Sequence, residues 1–291
     1  MYRKLDYVAP EGLAEVFSAL TGNAGAQVLA GGTDLLPELR EKVPEGTLLV
    51  DIKRCEGALR GLEERGDGSL WIGALTTIRD LQESEVLRRR YPALTDAADV
   101  FGCLEIRYRA TIGGNVAHAS PGAEYGTPLF VYEAEVEIAG PKGNRTVPIA
   151  EFWLDVGKTS LERGEILSGF VLPPLPETAL SRYERISRTK GMDLAAMGIT
   201  VLVFDPEDEK KRKLRIALGA VERTPVRMGA AERALSGRKI GEELMEEVKR
   251  QMAEAIHPRA TSLRAGPEYK KAMAGILTER ILHDFGLYGE E

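Results

Sequence analysis

The sequence predicts an α+β protein, and the order of its expected helices and strands carries that prediction. Residues 1–57 combine helices with two short apolar strands, and residues 58–176 mix helices with a hairpin. Residues 177–291 place three strands before three amphipathic helices. Strands and helices segregated in this way are typical of α+β folds. We therefore expect two N-terminal subdomains, 1–57 and 58–176, and a C-terminal domain, 177–291, in which helices cover a three-stranded antiparallel sheet.

The first segment is expected to form a small unit of two strands and two helices. LAEVFSAL (13–20) carries apolar residues at helical spacing, and Gly22 ends that helix. QVLA (27–30) is a short apolar strand, followed by the turn GGTD and the short helix LLPELREK (35–42). TLLVDIK (47–53) alternates as a second strand.

The middle segment contains a hairpin signal and ends at prolines. EVEIAG and RTVPI flank PKGN, a pattern typical of a β-hairpin. TIRDLQES begins after a threonine and PALTDAADVFG begins at a proline, and both features favour helix starts. The expected elements are a strand at 69–75, helices at 77–84, 92–102 and 128–134, a turn at 111–115, hairpin strands at 135–140 and 145–149, and a strand at 165–173.

The last segment is predicted to be a meander with one buried face, followed by helices. An apolar stripe in the second helix recurs at helical spacing and indicates contact with the core rather than with a cofactor: Leu244, Val248, Met252 and Ile256. The strands are expected at 182–188, 195–204 and 213–221, and the helices at 227–237, 241–256 and 267–286.

Composition and charge argue against several classes of protein. The 291 residues carry a formal net charge of −6, with no basic tract to suggest a nucleic-acid binder. The start, MYRKLDYVAPEG, has no apolar signal region, and no apolar run is long enough to span a bilayer. We therefore expect a cytoplasmic protein.

The cysteines and histidines argue against a metal centre on this chain. Cys55 and Cys103 are too few for a disulfide framework or for the four ligands of an iron–sulfur cluster. His118, His257 and His283 are scattered without metal-ligand spacing. We expect no metal site here.

Two Gly-Gly stretches are the candidate binding motifs. AGGTDLL (30–36) lies between a predicted strand and a predicted helix, and TIGGN (111–115) follows further along the chain. Glycines allow positive φ and close backbone approach, and exposed N–H groups at a helix start attract phosphate. AGGTDLL lacks the G-x-G-x-x-G spacing of a Rossmann site. Because Asp34 would repel a phosphate, Thr33 or Asp34 is expected to cap the following helix. From these residues alone, one phosphate cradle and two ordinary turns both stay open.

The sequence around the second stretch, FGCLEIRYRATIGGNVAHASPGAEYGTP, resembles the flavin-binding motif of the medium subunits of molybdenum hydroxylases. That family includes xanthine dehydrogenases and aerobic carbon monoxide dehydrogenases. Its approximate pattern is R-x-x-A-T-I-G-G-N-x-x-x-x-S-P-x-x-D, and Arg107, Ala110 to Asn115, Ser120 and Pro121 match it in register. AGGTDLL is similar to the family's first flavin loop. Further segments resemble the family in the same order: EILSGFVLP, YERISRTKGMDLA, LGAVERTPVR (family Gly-Gly-Val-x-x-x-Pro-x-Arg) and SLRAGPEYKKAMAGILTERIL (family Tyr-Arg within the closing helix).

The resemblance implies non-covalent FAD in a two-subdomain domain of the PCMH/vanillyl-alcohol-oxidase type. Both Gly-Gly stretches would wrap the FAD diphosphate, mainly with backbone N–H groups, and neither contains a histidine for a covalent flavin bond. Phe101 would lie against the flavin ring, with core packing as the alternative, and Leu167 near the adenine end or ring edge. Ser120 and the acidic residue after it would bond ribityl or ribose hydroxyls. The implied contacts are Leu29, Ala30, Gly31, Gly32, Thr33, Asp34, Leu35, Phe101, Thr111, Ile112, Gly113, Gly114, Asn115, Ser120, Glu124, Leu167 and Arg185.

Two of these positions depart from the family pattern. Glu124 stands where the family usually has Asp, and Arg185 where it often has Lys. Glu is one methylene longer than Asp, and Arg keeps the charge of Lys with a different donor geometry. Both departures affect reach near the flavin, and neither argues against FAD.

The resemblance also implies an electron-transfer subunit, with no catalytic residue of its own. A molybdenum cofactor on a large subunit would oxidise the substrate, and two-iron two-sulfur clusters on a small subunit would deliver electrons to FAD on this chain. The acceptor would be NAD⁺, a quinone or another external oxidant. The expected assembly is a dimer of heterotrimers.

Two alternatives differ from this interpretation. A self-sufficient FAD-dependent oxidase or reductase would need a substrate pocket with an acid or base, and residues 180–290 show no such pattern. A scaffold that has lost the flavin is disfavoured by the two intact glycine stretches.

Overall fold

A computed structural model describes residues 5–189, 191–260, 262 and 264–289 and contains both helices and strands. The helices are α1 (Leu13–Gly22), α2 (Leu35–Glu41), α3 (Glu56–Leu59), α4 (Ile78–Glu83), α5 (Glu85–Arg90), α6 (Pro92–Val100), α7 (Leu104–Arg107), α8 (Ile112–Ala117), α9 (Gly126–Val131), α10 (Ile149–Phe152), α11 (Gly229–Leu235), α12 (Glu242–Ala255) and α13 (Pro267–Asp284), with a 3₁₀ helix at Lys53–Cys55.

The strands are β1 (Asp6–Val8), β2 (Ala26–Leu29), β3 (Leu48–Asp51), β4 (Leu62–Glu64), β5 (Leu70–Gly73), β6 (Glu135–Gly140), β7 (Gly143–Pro148), β8 (Trp153–Asp155), β9 (Lys158–Thr159), β10 (Ile166–Leu172), β11 (Leu180–Ile186), β12 (Met197–Phe204), β13 (Lys213–Gly219) and β14 (Val226–Arg227). The α+β class predicted from the sequence is confirmed.

The described residues form two compact units. The first is drawn from residues 1–80, 104–119 and 133–174, and the second from 81–103, 120–132 and 175–291. The three-part division into 1–57, 58–176 and 177–291 stays a prediction.

A three-stranded parallel sheet in the order β1-β3-β2 begins the first unit. β2 and β3 lie where the sequence predicts strands, whereas β1 was not predicted. α1 ends at Gly22 as expected and packs Val16 and Leu20 into a core with Val50 and Ile52. The end of β2 leads directly into the first Gly-Gly stretch, which is thereby held on a rigid element.

The first unit also contains a five-stranded antiparallel sheet in the order β4-β5-β10-β6-β7. The predicted hairpin is confirmed, with Gly140 paired to Gly143 across the turn. The register of β10 against β6 shifts between Leu167 and Gly169. β4 and the β8–β9 pair were not predicted, since two or three residues are too short to show a periodicity.

The second unit contains the predicted meander of β11, β12 and β13, with β14 as a short fourth strand. The expectation of one buried face was wrong for β12, which is buried from Met197 to Val203. One face packs on α11, α12 and α13, and on the other face Thr200 Oγ1 lies 2.8 Å from Thr127 Oγ1 of α9. A continuous apolar run, rather than an alternating one, is typical of such a doubly covered strand.

The predicted stripe on α12 is confirmed. Leu244, Val248 and Met252 are buried, and Ile256 is buried just beyond the helix end. Across the parts of the chain that the structure describes, no helix has both the length and the apolar character needed to cross a membrane.

Candidate functional site: two adjoining glycine loops

The two Gly-Gly stretches adjoin each other in the first unit. A Cβ on Gly31 would lie 2.1 Å from the carbonyl oxygen of Arg109 and 3.0 Å from the Cα of Ala110. The backbone of the first stretch therefore contacts the two residues just before the second stretch, and only glycine allows this approach. His118 Nε2, after the second stretch, lies 2.9 Å from Glu38 Oε1 of α2, after the first. The structure thus brings together two motifs that lie far apart in the sequence.

The first stretch presents unpaired backbone donors. Within the described residues, the N–H groups of residues 31–35 have no protein acceptor at hydrogen-bond distance. Gly32 has a φ of +73°, which a glycine adopts without strain, and its carbonyl accepts from Leu36 N at 3.0 Å. Lys53 Nζ donates to the Ala30 carbonyl at 3.2 Å and holds the start of the loop. Consecutive free N–H groups at a helix start suit an anionic ligand.

Asp34 stands at the N-cap of α2, as the sequence analysis expected of Thr33 or Asp34. Its exposed carboxylate makes no capping hydrogen bond, however. The adjoining Leu35 is the first residue of the helix, so the helix begins directly at the loop.

The second stretch is the start of a helix rather than the turn that the sequence analysis predicted. Thr111 is the N-cap of α8, and its hydroxyl oxygen accepts from Gly114 N at 3.1 Å. Asn115 N donates to the Thr111 carbonyl at 3.0 Å. A threonine cap followed by glycines at the first turn explains how this short helix starts.

Two further amides of the second stretch also bond within the protein. Ile112 N donates to the Thr76 carbonyl at 3.1 Å, and Gly113 N donates to the Ala74 carbonyl at 2.9 Å. A Cβ on Gly113 would lie 2.6 Å from Ala74 Cβ, so this glycine is required by packing. The first stretch therefore offers the free backbone donors, whereas the sequence analysis expected both stretches to donate. Leu167, in the same unit, is buried in β10 opposite Ile138 of β6.

Glu124 and Arg185 pair with each other in the second unit. Arg185 Nη1 donates to Glu124 Oε1 at 2.8 Å and to the Asp193 carbonyl at 2.9 Å. The two side chains are only 6% and 5% exposed, so each charge is buried with its partner. Burial, with Glu124 close by, raises the pKa of Tyr183 well above its ordinary range. The two residues that depart from the family pattern therefore contact each other.

The other two predicted contacts of the second unit lie on loops. Phe101 follows α6, is nearly buried, and has its ring centroid 6.1 Å from that of Tyr125. Ser120 begins a turn in which its hydroxyl accepts from Gly122 N at 3.4 Å and its carbonyl accepts from Ala123 N at 3.0 Å. Phe101 therefore packs against an aromatic ring, and Ser120 is hydrogen-bonded within its own turn.

Several residues of these sites were missed by sequence reasoning. Lys53, Glu38 and the pairing role of His118 depend on neighbours across the fold, and no local pattern marks them. Lys190, inside the segment that resembles the family's Asp-x-Ala region, lies outside the described residues, as does Leu263 of the closing segment. Among the described residues, no cluster of three His, Cys, Asp or Glu side chains is placed to hold a metal ion.

Comparison with known proteins bears on these loops. Residues 3–175 match the family model for the FAD binding domain in molybdopterin dehydrogenase, and residues 182–285 match that for the CO dehydrogenase flavoprotein C-terminal domain. The chain is 34% identical over 282 residues to the carbon monoxide dehydrogenase medium chain of Hydrogenophaga pseudoflava, covering 96% of both chains. It is 33% identical over 273 residues to the xanthine dehydrogenase FAD-binding subunit of Escherichia coli O157:H7, covering 94% of this chain and 92% of the relative.

The fold agrees with these sequence relationships. A solved carbon monoxide dehydrogenase from Hydrogenophaga pseudoflava, which lacks the Mo-pyranopterin moiety of its cofactor, superposes with a TM-score of 0.89 at 33% identity, covering 96% of both chains. The resemblance inferred from the glycine stretches is confirmed, as is the assignment to an FAD-dependent oxidoreductase subunit. The chain therefore belongs to the family of FAD-binding medium subunits of molybdenum hydroxylases.

Proposed function

We propose that the first glycine stretch binds the diphosphate of one non-covalent FAD. The observation that carries this proposal is the run of unpaired N–H groups at residues 31–35, at the start of α2. Such donors stabilise a diphosphate through hydrogen bonds and through the partial positive charge of the helix start. Arg109, just before the second stretch, contacts the backbone of the first stretch at Gly31 and so supports it.

The remaining predicted contacts are proposed in the roles that the family resemblance implies. Phe101 would contact the flavin ring, Leu167 the adenine end or ring edge, and Ser120 a ribityl or ribose hydroxyl. The orientation of Glu124 toward FAD would depend on its ion pair with Arg185. We expect the side chains of the described residues to bind and orient FAD, and none of them to act as a nucleophile.

FAD, when bound, supplies the exchange of one and two electrons that links iron–sulfur clusters to an external acceptor such as NAD⁺ or a quinone. We infer that the clusters belong to a small subunit and the molybdenum cofactor to a large subunit, joined with this chain as a dimer of heterotrimers. The support is that relatives matched over almost their whole length are named medium chains. The cytoplasmic location belongs to the same proposal.

The test is a charge placed in the first stretch without a change of shape. Thr33→Asp adds a carboxylate beside the free N–H groups, whereas Thr33→Asn has nearly the same shape and no charge. FAD affinity, measured by quenching of flavin fluorescence on the flavin-free full chain, is expected to fall at least about ten-fold more in T33D than in T33N. An acidic residue at a helix start favours the fold itself, so T33D is not expected to be less stable than T33N.

Equal FAD affinity in T33D and T33N would place the diphosphate elsewhere. A wild-type chain that binds no FAD at all would contradict the proposed function and favour the scaffold alternative. Steady oxidation of a small substrate by the isolated chain would favour the self-sufficient oxidase.

A further inference from the structure

The segment Ser120–Glu124 is held from two sides within the second unit. Arg185 binds Glu124 at its end, as described above. At its start, Ala220 N donates to the Pro121 carbonyl at 2.7 Å. Pro121 follows Ser120 directly, so this hydrogen bond sets where the Ser120 turn begins.

The Ala220 peptide has an unusual backbone. Ala220 follows β13 and has a φ of +61°, a conformation that non-glycine residues rarely adopt. It replaces the second glycine of the Gly-Gly-Val pattern that the sequence resembles. The preceding Gly219 is also confined, since a Cβ there would lie 3.1 Å from Thr127 Cγ2. A residue held at positive φ needs supporting contacts from its surroundings.

Lys270 supplies such a contact. It lies on the first turns of α13, is only 4% exposed, and donates from Nζ to the Ala220 carbonyl at 2.6 Å. Among the described residues, no carboxylate lies within ion-pair distance of its ammonium group. Burial, with Arg259 and Arg264 nearby, lowers the pKa of Lys270 accordingly. Burying a lysine against one carbonyl costs free energy, so a role for this contact is expected.

We propose that Lys270 is a positioning residue for the flavin site, acting through the Ala220 peptide on Pro121 and the Ser120 turn. The Ala220 carbonyl accepts from the Lys270 ammonium group and the Ala220 N–H donates to the Pro121 carbonyl, so the two hydrogen bonds lie on either side of one Cα and together fix the backbone conformation of that residue. Lys270 therefore fixes, from the C-terminal helix, the loop that carries Ser120 and Glu124. This inference rests on the proposed FAD binding.

The experiment uses the full chain with three substitutions. Lys270→Met removes the donor, and Lys270→Arg keeps a charged donor. Lys271→Met is the matched control, since Lys271 is the adjacent residue and its ammonium group lies 3.6 Å from the carboxylate of the exposed Glu268. FAD affinity is measured by titration. Amide hydrogen exchange of peptides covering Pro121–Glu124 and Ala220 is measured on the flavin-free protein.

K270M is expected to weaken FAD binding about ten-fold or more and to speed exchange in both peptides, because a hydrogen bond from a charged donor is lost. K270R is expected to restore most of the affinity and the protection, and K271M to match wild type. If K270M does not fold, Lys270→Gln, which keeps a polar end group, takes its place with the same expectation in smaller degree.

A folded K270M or K270Q with wild-type affinity and wild-type exchange would overturn the inference. So would a loss of affinity that K270R fails to restore, since a charged donor would then not be what matters. Absence of FAD binding in the wild-type chain would instead contradict the proposed function, so the two failures are distinguishable.

Discussion

At the residue scale, Glu124 and Arg185 show how two departures from a family pattern can compensate each other. Arg185 reaches both Glu124 and the Asp193 carbonyl with one nitrogen, at 2.8 and 2.9 Å. Loss of either residue would leave the other charge buried without this ion pair, which is strongly unfavourable. Glu124, which is longer than the family's Asp, and Arg185, which replaces the family's Lys, therefore form one buried ion pair.

A double-mutant cycle measures this coupling. Glu124→Gln and Arg185→Met are each expected to lower the free energy of unfolding by about 3–5 kcal/mol, because each removes one partner of a buried ion pair and leaves the other charge buried. The double variant is expected to lose less than the sum of the two. Urea unfolding of the full chain gives the four free energies.

The control for this cycle is the exposed pair Lys211–Asp208, 3.1 Å apart, where Lys211→Met is expected to cost less than about 1 kcal/mol. Additive losses in E124Q and R185M would show that the buried contact has no coupling energy.

At the element scale, α12 and α13 are held in place by burial rather than by capping. Neither α12 nor α13 has a side-chain cap at its first turn. Their apolar residues instead pack on β12 and β13 in one core. The periodic stripe on α12 allowed its core face to be predicted from the sequence.

Adjacent residues of α13 give a matched test of this packing. Leu277 is fully buried in the core, whereas Ile276 is 43% exposed. Leu277→Ala is expected to lower the free energy of unfolding by about 2–5 kcal/mol, since it removes buried methyl groups and leaves a cavity. Ile276→Ala is expected to lower the free energy of unfolding much less. Equal losses of stability in the two variants would contradict the burial of Leu277 in the core. Thermal and urea unfolding provide the measurement.

The element scale also explains the misprediction at the second glycine stretch. TIGGN was predicted as a turn, and glycine is a poor helix former. In the structure Thr111 caps a helix, and Gly113 is needed where α8 meets the Ala74 backbone. A neighbour 39 positions away in sequence therefore decides the conformation, and a propensity argument cannot include it.

At the scale of the whole molecule, the chain matches its relatives over nearly their full length. If the proposed assembly is right, the tagged chain purified from its native host is expected to bring down two further subunits. The eluate is expected to show flavin absorbance together with iron–sulfur absorbance and to contain molybdenum. A wash with high salt before elution is the control for charge-mediated, non-specific partners.

A yellow protein that elutes alone, with neither iron nor molybdenum, would contradict the assembly and leave FAD binding intact. Partners without flavin would contradict the proposed role of the glycine stretches instead. The spectrum and the subunit pattern thus test different parts of the proposal.

The sequence by itself determined the α+β class, the α12 core stripe, the hairpin and the flavin family, because these depend on local patterns of residues and on the order of those patterns along the chain. The tertiary structure decided that the first glycine stretch holds the free N–H groups, and that the second is a capped helix. It also decided that Glu124 pairs with Arg185 and that Lys270 supports Ala220. The last two contacts join residues 61 and 50 positions apart. Such contacts are set by how β11, β13 and α13 pack, and no pattern within a single segment encodes them.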